Sequence, residues 1–351
     1  MAFGPSRIGD DAASDNAFPS GKTNELFLKV FAGEVLTTFA ENNIMMPLHR
    51  VRTITSGKSA SFPVTGVASA KYHQAGESVY TGAPSSGDYL TQFNHAERVL
   101  YIDDLLISGT FMSSLDEAKN HYDVRSIYST EIGRELASVA DKNLLRTVIG
   151  GARATADRFG GSSTTYLGES YVGDGGAGGY SGTELVDHMF RIAQKMDEKN
   201  VPGTDRFCVL NPAHYYLLIN ENKDAINRDY GNEGNGSVAN PGEMISVAGI
   251  RVMKSNNLPS VDESSSHDAL HGDAGVMNDV NGTAADGYSG EDYSKTVGVT
   301  FHKEAIGTVK LMDLGLETEY SVERQGNLLL AKYAMGHGVL REECCYEMKT
   351  T

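Results

Sequence analysis

Cysteine is scarce in this chain. Cys208 stands alone, and Cys344 and Cys345 are neighbours. No CxxC pair exists, and three cysteines cannot all pair within one chain. A reducing compartment fits best, and a zinc site built on cysteine is disfavoured. Basic charge is also short: 30 Lys and Arg face 46 Asp and Glu, a net charge of −16 with a pI near 5.0. A protein that grips nucleic acid needs a basic face to displace counterions, and this chain repels it on average. No apolar run approaches the roughly 20 residues of a membrane-spanning helix. The first 22 residues hold no apolar h-region, so no secretory signal is expected. Tryptophan is absent, and no proline occurs between Pro84 and Pro202. What is present suffices for a sizeable core: 40% of residues are hydrophobic, enough to exclude disorder throughout. A length of 351 residues corresponds to roughly two domains, or one large one, at about 150 residues each. The 39 glycines imply many turns and extended loops.

Residues 1–22 are small and polar and read as an arm. From Asn24, a plausible cap, Leu26, Phe27, Val30, Phe31, Val35, Leu36 and Phe39 recur at helical spacing in one wide apolar stripe. Its burial against the chain's own core or against a partner stays open. From Val51 to Ile102 the pattern turns to strands, with a turn at Ser56-Gly57 and a Gly/Ser/Pro-rich tip near residues 82–87. The segment ERVLYIDDLLI reads as one returning strand. Together these make an extended hairpin, which needs a neighbour to lie on because a two-stranded ribbon is marginal in water. A single helix of about 50 Å is expected from Ser114 to Ile149. Ser114 and Glu117 would form its capping box, and Gly150-Gly151 its stop. Residues 160–182 read as a Gly-rich loop and Thr183–Lys199 as a helix. RFCVLNP and GIRVMKS read as strands, with the helix AHYYLLINE after the first. Eight carboxylates and no Lys or Arg occupy residues 260–294; mutual repulsion should keep them all in water. Three further strands close the chain: VGVTFHKEAIGTVKLM, GLETEYSVER and NLLLAKYAMGHGVLRE. The order is mixed α+β, without repeats of solenoid period.

Tests for chemistry end nearly empty. Two GK[ST] tripeptides lack the glycine five positions earlier that a phosphate loop requires; Asn16 and Arg52 stand there. Gly173, Gly175 and Gly178 fit GxGxxG, but no βαβ unit surrounds them. His267 and His271 lie among Asp268 and Asp273 in a loop-like context. A cation held by Asp262, Asp268 and Asp273 is the minor reading, since hard cations take carboxylates, and a solvated loop is the favoured one. No GxSxG elbow occurs. Cys208 in an apolar strand reads as an inert core residue. His121 and Tyr122, beside Asp123 and Arg125, read as part of an ion-paired helix face. No catalytic, cofactor-binding or metal residue is assigned, and no cofactor is expected. An elongated acidic chain with mating elements and no active site fits a self-assembling structural protein.

Five stretches in order carry a resemblance: LFLKVFAGEVLTTFA, TITSGKSASFPVTG, NHYDVRSIYSTEIGRELA, AIGTVKLMDLGLE and LLLAKYAMGHGVLRE. The chain resembles the major capsid protein of T-seven-like, short-tailed bacteriophages. The resemblance thins over residues 156–182 and 256–295. It implies the α+β Hong-Kong-97-type capsid fold, with an N-terminal arm and amphipathic helix (1–55) and an E-loop hairpin (56–103). A P-domain with the spine helix and Gly-rich loop (104–182), an A-domain (183–300), and P-domain strands with a C-terminal tail (301–351) would complete it. It further implies hexamers and pentamers in an icosahedral shell of a virion, around double-stranded DNA bound without sequence specificity. A scaffolding protein and a portal protein are the implied partners, no membrane is involved, and assembly takes place in the bacterial cytoplasm. Leu26, Phe27, Val30, Phe31, Lys58 and Lys71 are the assembly positions, the lysines without a covalent crosslink. A cellular nanocompartment of the same fold and an enzyme using the Gly-rich loop stay open as alternatives.

Overall fold

The computed structural model describes residues 34–39, 42–66, 95–113, 124–155, 163–173, 180–221, 246–263 and 292–351, with a few single positions between them. Its axis is a helix of 30 residues, Val124–Arg153 (α1), about 45 Å long at 1.5 Å per residue. Ile132, Leu136 and Ala140 bury one face of its first half in one core cluster. Leu144, Leu145, Val148, Ile149 and Ala152 bury its second half in another. One helix thus joins two cores. Residues 114–123, with the expected Ser114–Glu117 cap and His121 and Tyr122, lie outside the described residues.

The first core lies under a four-stranded sheet of order β1-β10-β11-β4. Its strands are Arg50–Thr53 (β1), Leu106–Ser113 (β4), Ile306–Ser321 (β10) and Gly326–Val339 (β11). β1 runs parallel to β10, and the other pairs are antiparallel. Leu329, Ala331, Tyr333 and Met335 of β11 and Met112 of β4 face α1, with Val35 of helical segment 34–39. Two expectations change here. ERVLYIDDLLI is not one strand; it breaks at residues 102–105 between His95–Tyr101 (β3) and β4, each part joining a different sheet. GLETEYSVER is not separate, because its residues 315–321 continue β10 opposite β11 through two register shifts.

The second core fills a six-stranded sheet of order β5-β12-β9-β6-β8-β7. It comprises Glu169–Val172 (β5), Arg206–Leu210 (β6), Ser246–Val247 (β7), Ile250–Lys254 (β8), Thr296–His302 (β9) and Cys345–Lys349 (β12). Every residue of β6 and β9 is buried, as expected for a strand covered on both faces. Helix Gly182–Glu198 (α2) lays Leu185, Met189, Ile192 and Met196 on this core. Ser181 and Glu184 cap it with reciprocal bonds of 3.2 and 2.9 Å. Helix Pro212–Glu221 (α3) follows β6. The sheet draws β5 and β12 from outside residues 183–300, and β5 lies inside the stretch read as a Gly-rich loop. That stretch holds a strand because β12 offers a parallel partner, which no local pattern announces.

The double glycine does not stop α1, which continues to Arg153. A Cβ on Gly151 would sit 2.8 Å from Cys345 Sγ and 3.1 Å from both Val339 methyls. The glycine admits strand β12 and the end of β11 against the helix, and close packing outweighs its low helix propensity.

Candidate assembly interfaces

The hairpin β2–β3 pairs Ser59–Thr65 (β2) with β3 in register from Ser59↔Tyr101 to Thr65↔His95, and these two strands form a sheet of their own. β1 does not pair with β2. Gly57, at φ +112°, makes the corner that sends one strand to each sheet, a conformation glycine adopts without strain. The hairpin's base is anchored in the chain itself: Ala60 and Leu100 pack on Val309 and Leu340. Arg98 of β3 forms an ion pair with buried Glu342. Lys58 is exposed at this base, and its carbonyl accepts from Ile102 N–H at 2.9 Å. Lys71 lies outside the described residues.

Val35 is fully buried beside Ile132 and Leu136, and Phe39 packs edge-on against Tyr333, whereas Leu36 is 46% exposed. The end of the apolar stripe therefore joins the chain's own core. The crossing is close: a Cβ on Gly133 would stand 2.8 Å from the Val35 carbonyl. Ser129 Oγ also donates to Glu34 at 2.7 Å. Leu26, Phe27, Val30 and Phe31 lie outside the described residues.

The acidic excursion is rooted on α1. Arg146 donates to Glu263 from Nε and Nη2 at 2.9 and 2.7 Å. Arg153 Nη1 donates to the Asp292 carbonyl at 2.9 Å. Asp262 and Asp292 face each other in an antiparallel bridge. The expectation that every carboxylate here stays in water is corrected at Glu263, whose side chain is 14% exposed. A bidentate, buried guanidinium replaces its water shell. Asp268 and Asp273, with His267 and His271, lie outside the described residues.

Sequence reading missed an apolar sheet face. In β4, Ile107 and Phe111 point away from α1, and on β11 so does Leu328; they are 50%, 38% and 39% exposed. Phe111 and Leu328 are direct cross-strand partners. The alternation in LISGTFMS and NLLLAKYA carries a period-2 signal. It marks two faces without saying which is covered. Among the described residues β4 is also an edge strand, the kind of edge that can accept a further partner.

All three cysteines are buried. Cys208 is fully buried, and burial pushes its thiol up to about 12; a thiol that does not ionise is a poor nucleophile. Among the described residues, no group of three or more His, Cys, Asp or Glu is placed to hold a metal ion.

The family model for Gp10A-like major capsid proteins matches residues 61–349. The chain belongs to the Gp10A-like family of major capsid proteins. This Gp10A-like chain is 31% identical to the major capsid protein of Escherichia phage T7 over 329 residues, 92% of the chain and 91% of the relative. It is equally similar, at 31%, to that of Enterobacteria phage T3, over 91% and 89%. The capsid structure of Cyanophage P-SCSP1u superposes with a TM-score of 0.69 at 35% identity, covering 100% of this chain and 99% of that one. The mature capsid of bacteriophage PhiM1 shares the fold at TM-score 0.64 and 16% identity, over 88% and 87%. The Gp10A-like chain thus has the Hong-Kong-97-type α+β fold and serves as the major capsid protein of a tailed phage, part of the virus particle.

Proposed function

We propose that this capsid protein assembles as hexamers and pentamers into an icosahedral shell around double-stranded DNA, through non-catalytic contacts. The observation that carries this is a pair of unfilled surfaces on one subunit. One is a two-stranded hairpin whose described contacts with the rest of the chain lie at its base, and the other is the apolar outer face of β4 and β11. The hairpin, bearing Lys58 and Lys71, is the E-loop and lies on a neighbouring subunit. Residues 1–55 form the N-terminal arm, whose Leu26, Phe27, Val30 and Phe31 seat against scaffold or a neighbour. The four-stranded sheet and α1 form the P-domain, and the six-stranded unit the A-domain. Weak contacts repeated through shared neighbours give a stable shell. A chain of net charge −16 lets packaged DNA slide rather than adhere. Assembly takes place in the bacterial cytoplasm with a scaffolding and a portal protein.

Deletion of residues 71–87 tests this reading. Negative-stain microscopy should show shells from the full chain and none from the deletion. Hydrogen exchange should show β6 and β9 equally protected in both. Normal shells from the deletion overturn the assignment.

A further inference from the structure

Between helical segment 34–39 and β1, residues 44–50 cross from α1 to the four-stranded sheet. Buried titratable side chains attach them at both ends. At one end, Asp141 of α1 accepts from the backbone N–H of Ile44 and of Met45, each at 3.0 Å, one on each carboxylate oxygen. Asn257 Nδ2 adds a third donor at 3.3 Å. Asp141 is fully buried. A carboxylate there satisfies all three donors; a protonated carboxyl turns one oxygen into a donor facing donors.

At the other end, His49 Nδ1 is 2.8 Å from the Met45 carbonyl, and its Nε2 is 2.6 Å from Thr308 Oγ1. Thr308 Oγ1 is 2.8 Å from His337 Nδ1, and Thr308 and His337 are direct partners across β10 and β11. The direction of this chain follows from donor counting. A carbonyl only accepts, so His49 Nδ1 carries the hydrogen. Nε2 of the neutral ring then accepts from the Thr308 hydroxyl, and the hydroxyl oxygen accepts from His337 Nδ1–H. Every bond is made with both rings neutral. A proton on His49 Nε2 would point at the Thr308 hydroxyl hydrogen, in a site where His49, Thr308 and His337 are 4%, 0% and 2% exposed. The hydroxyl hydrogen can turn to His337 Nδ1 only while that ring is neutral and carries its hydrogen on Nε2. With both rings charged it has no acceptor in this hydrogen-bonded chain, at the desolvation cost of a buried polar group.

We propose that residues 44–50 are an acid-labile clasp. Ionised Asp141 and the neutral pair His49 and His337, joined through Thr308, hold this segment to α1 and the four-stranded sheet. Protonation of the histidine pair releases the segment while the six-stranded unit stays folded. The charged group that faces both rings is Lys310 on β10, which opposes a further positive charge; Tyr333 on β11 and Asn257 face Asp141. In support, burial lowers His49 to about 4 and His337 to about 3. The released rings take up protons first, so the hold on the segment is complete above the ordinary 6.5 and is lost as pH falls toward 4. Burial raises Asp141, which therefore takes no part in the acid release. The clasp is a property of the folded subunit and stands whether or not the shell reading above holds.

Hydrogen exchange of the intact protein, corrected for the intrinsic pH dependence of amide chemistry, tests the clasp. Between pH 7.5 and 4.5, protection of residues 44–53 should fall at least about tenfold, with β6 and β9 unchanged. Protection retained at 44–53, or lost at the same pH across β6 and β9, overturns the proposal. A variant-free arm guards against misfolded mutants: exchange at the histidine C2–H should place His49 and His337 below 5, and a value near 6.5 for either contradicts the chain. In the double variant His49→Gln, His337→Gln, an unchanged acid response at 49–53 would equally overturn the histidine half.

Discussion

At Arg153 one guanidinium joins α1 to β12 and to the acidic excursion. Its Nε and Nη2 donate to Glu347 at 2.8 and 2.5 Å. Glu347 is fully buried and also accepts from Thr296 at 2.8 Å and Ser170 at 3.0 Å. Burial pushes its carboxyl up. The bonds and charge of Arg153, with Thr296 and Ser170, outweigh that and hold it below the ordinary 4.5. As pH falls, the unfolded chain takes up the proton first. The stabilisation is complete above 4.5 and is lost as pH falls through the lower folded value. Arg153→Ala strands a buried charge and should destabilise the subunit by about 3–5 kcal/mol at pH 7. Without its partner, Glu347 protonates more readily in the folded state, so the deficit should narrow at pH 5. Urea titrations at the two pH values measure both effects, and an equal deficit at both contradicts the charge assignment.

Among the elements, the hairpin is held by backbone proximity as much as by side chains. A Cβ on Gly336 of β11 would overlap the Tyr101 carbonyl at the end of β3, and one on Gly338 would overlap the Leu100 side chain. Glycine is required here for close approach of a second strand. Gly336→Ala must push β3 away, because the obstacle is backbone and cannot change rotamer. The overpacking should cost about 1–3 kcal/mol. Exchange protection should fall across β2 and β3 while β9 and β12 keep theirs, and particle yield should drop. Unchanged protection at β3 would show that the hairpin base does not depend on this contact.

At the scale of the whole molecule, two cores share α1, and the acidic excursion leaves and re-enters beside its second half. Its eight carboxylates, in a segment without Lys or Arg from 260 to 294, repel one another within the screening length of about 8 Å at physiological salt. Residues 264–291 lie outside the described residues. The charge argument gives an exposed segment there, cut by Asp- or Glu-specific protease in intact particles. Because Arg146 holds Glu263 and Arg153 holds the Asp292 carbonyl, both fragments should remain bound after cleavage and separate only in denaturant. A chelator should not change the rate if no cation bridges Asp262, Asp268 and Asp273. Resistance to cutting with and without chelator would mean the segment is buried.

The sequence by itself determined the absences and the local elements. Acidic charge, sparse cysteine and failed motif spacings followed from counting. Helices α1, α2 and α3 and the strands β6 and β8 followed from local sequence pattern, since spacings of two or three to four residues encode which face is apolar. Only the tertiary structure decided pairings between distant residues. His49 meets Thr308 across 259 positions and Arg153 meets Glu347 across 194, and nothing local to either end reports its partner. The same reason explains the errors. Gly150-Gly151 reads as a stop until β12 is packed on it, and Glu169–Val172 as loop until β12 pairs with it. Glu263 reads as solvated until Arg146 arrives. Periodicity marked two faces on β4 and β11, and the packing of α1 on one of them decided which face remained exposed.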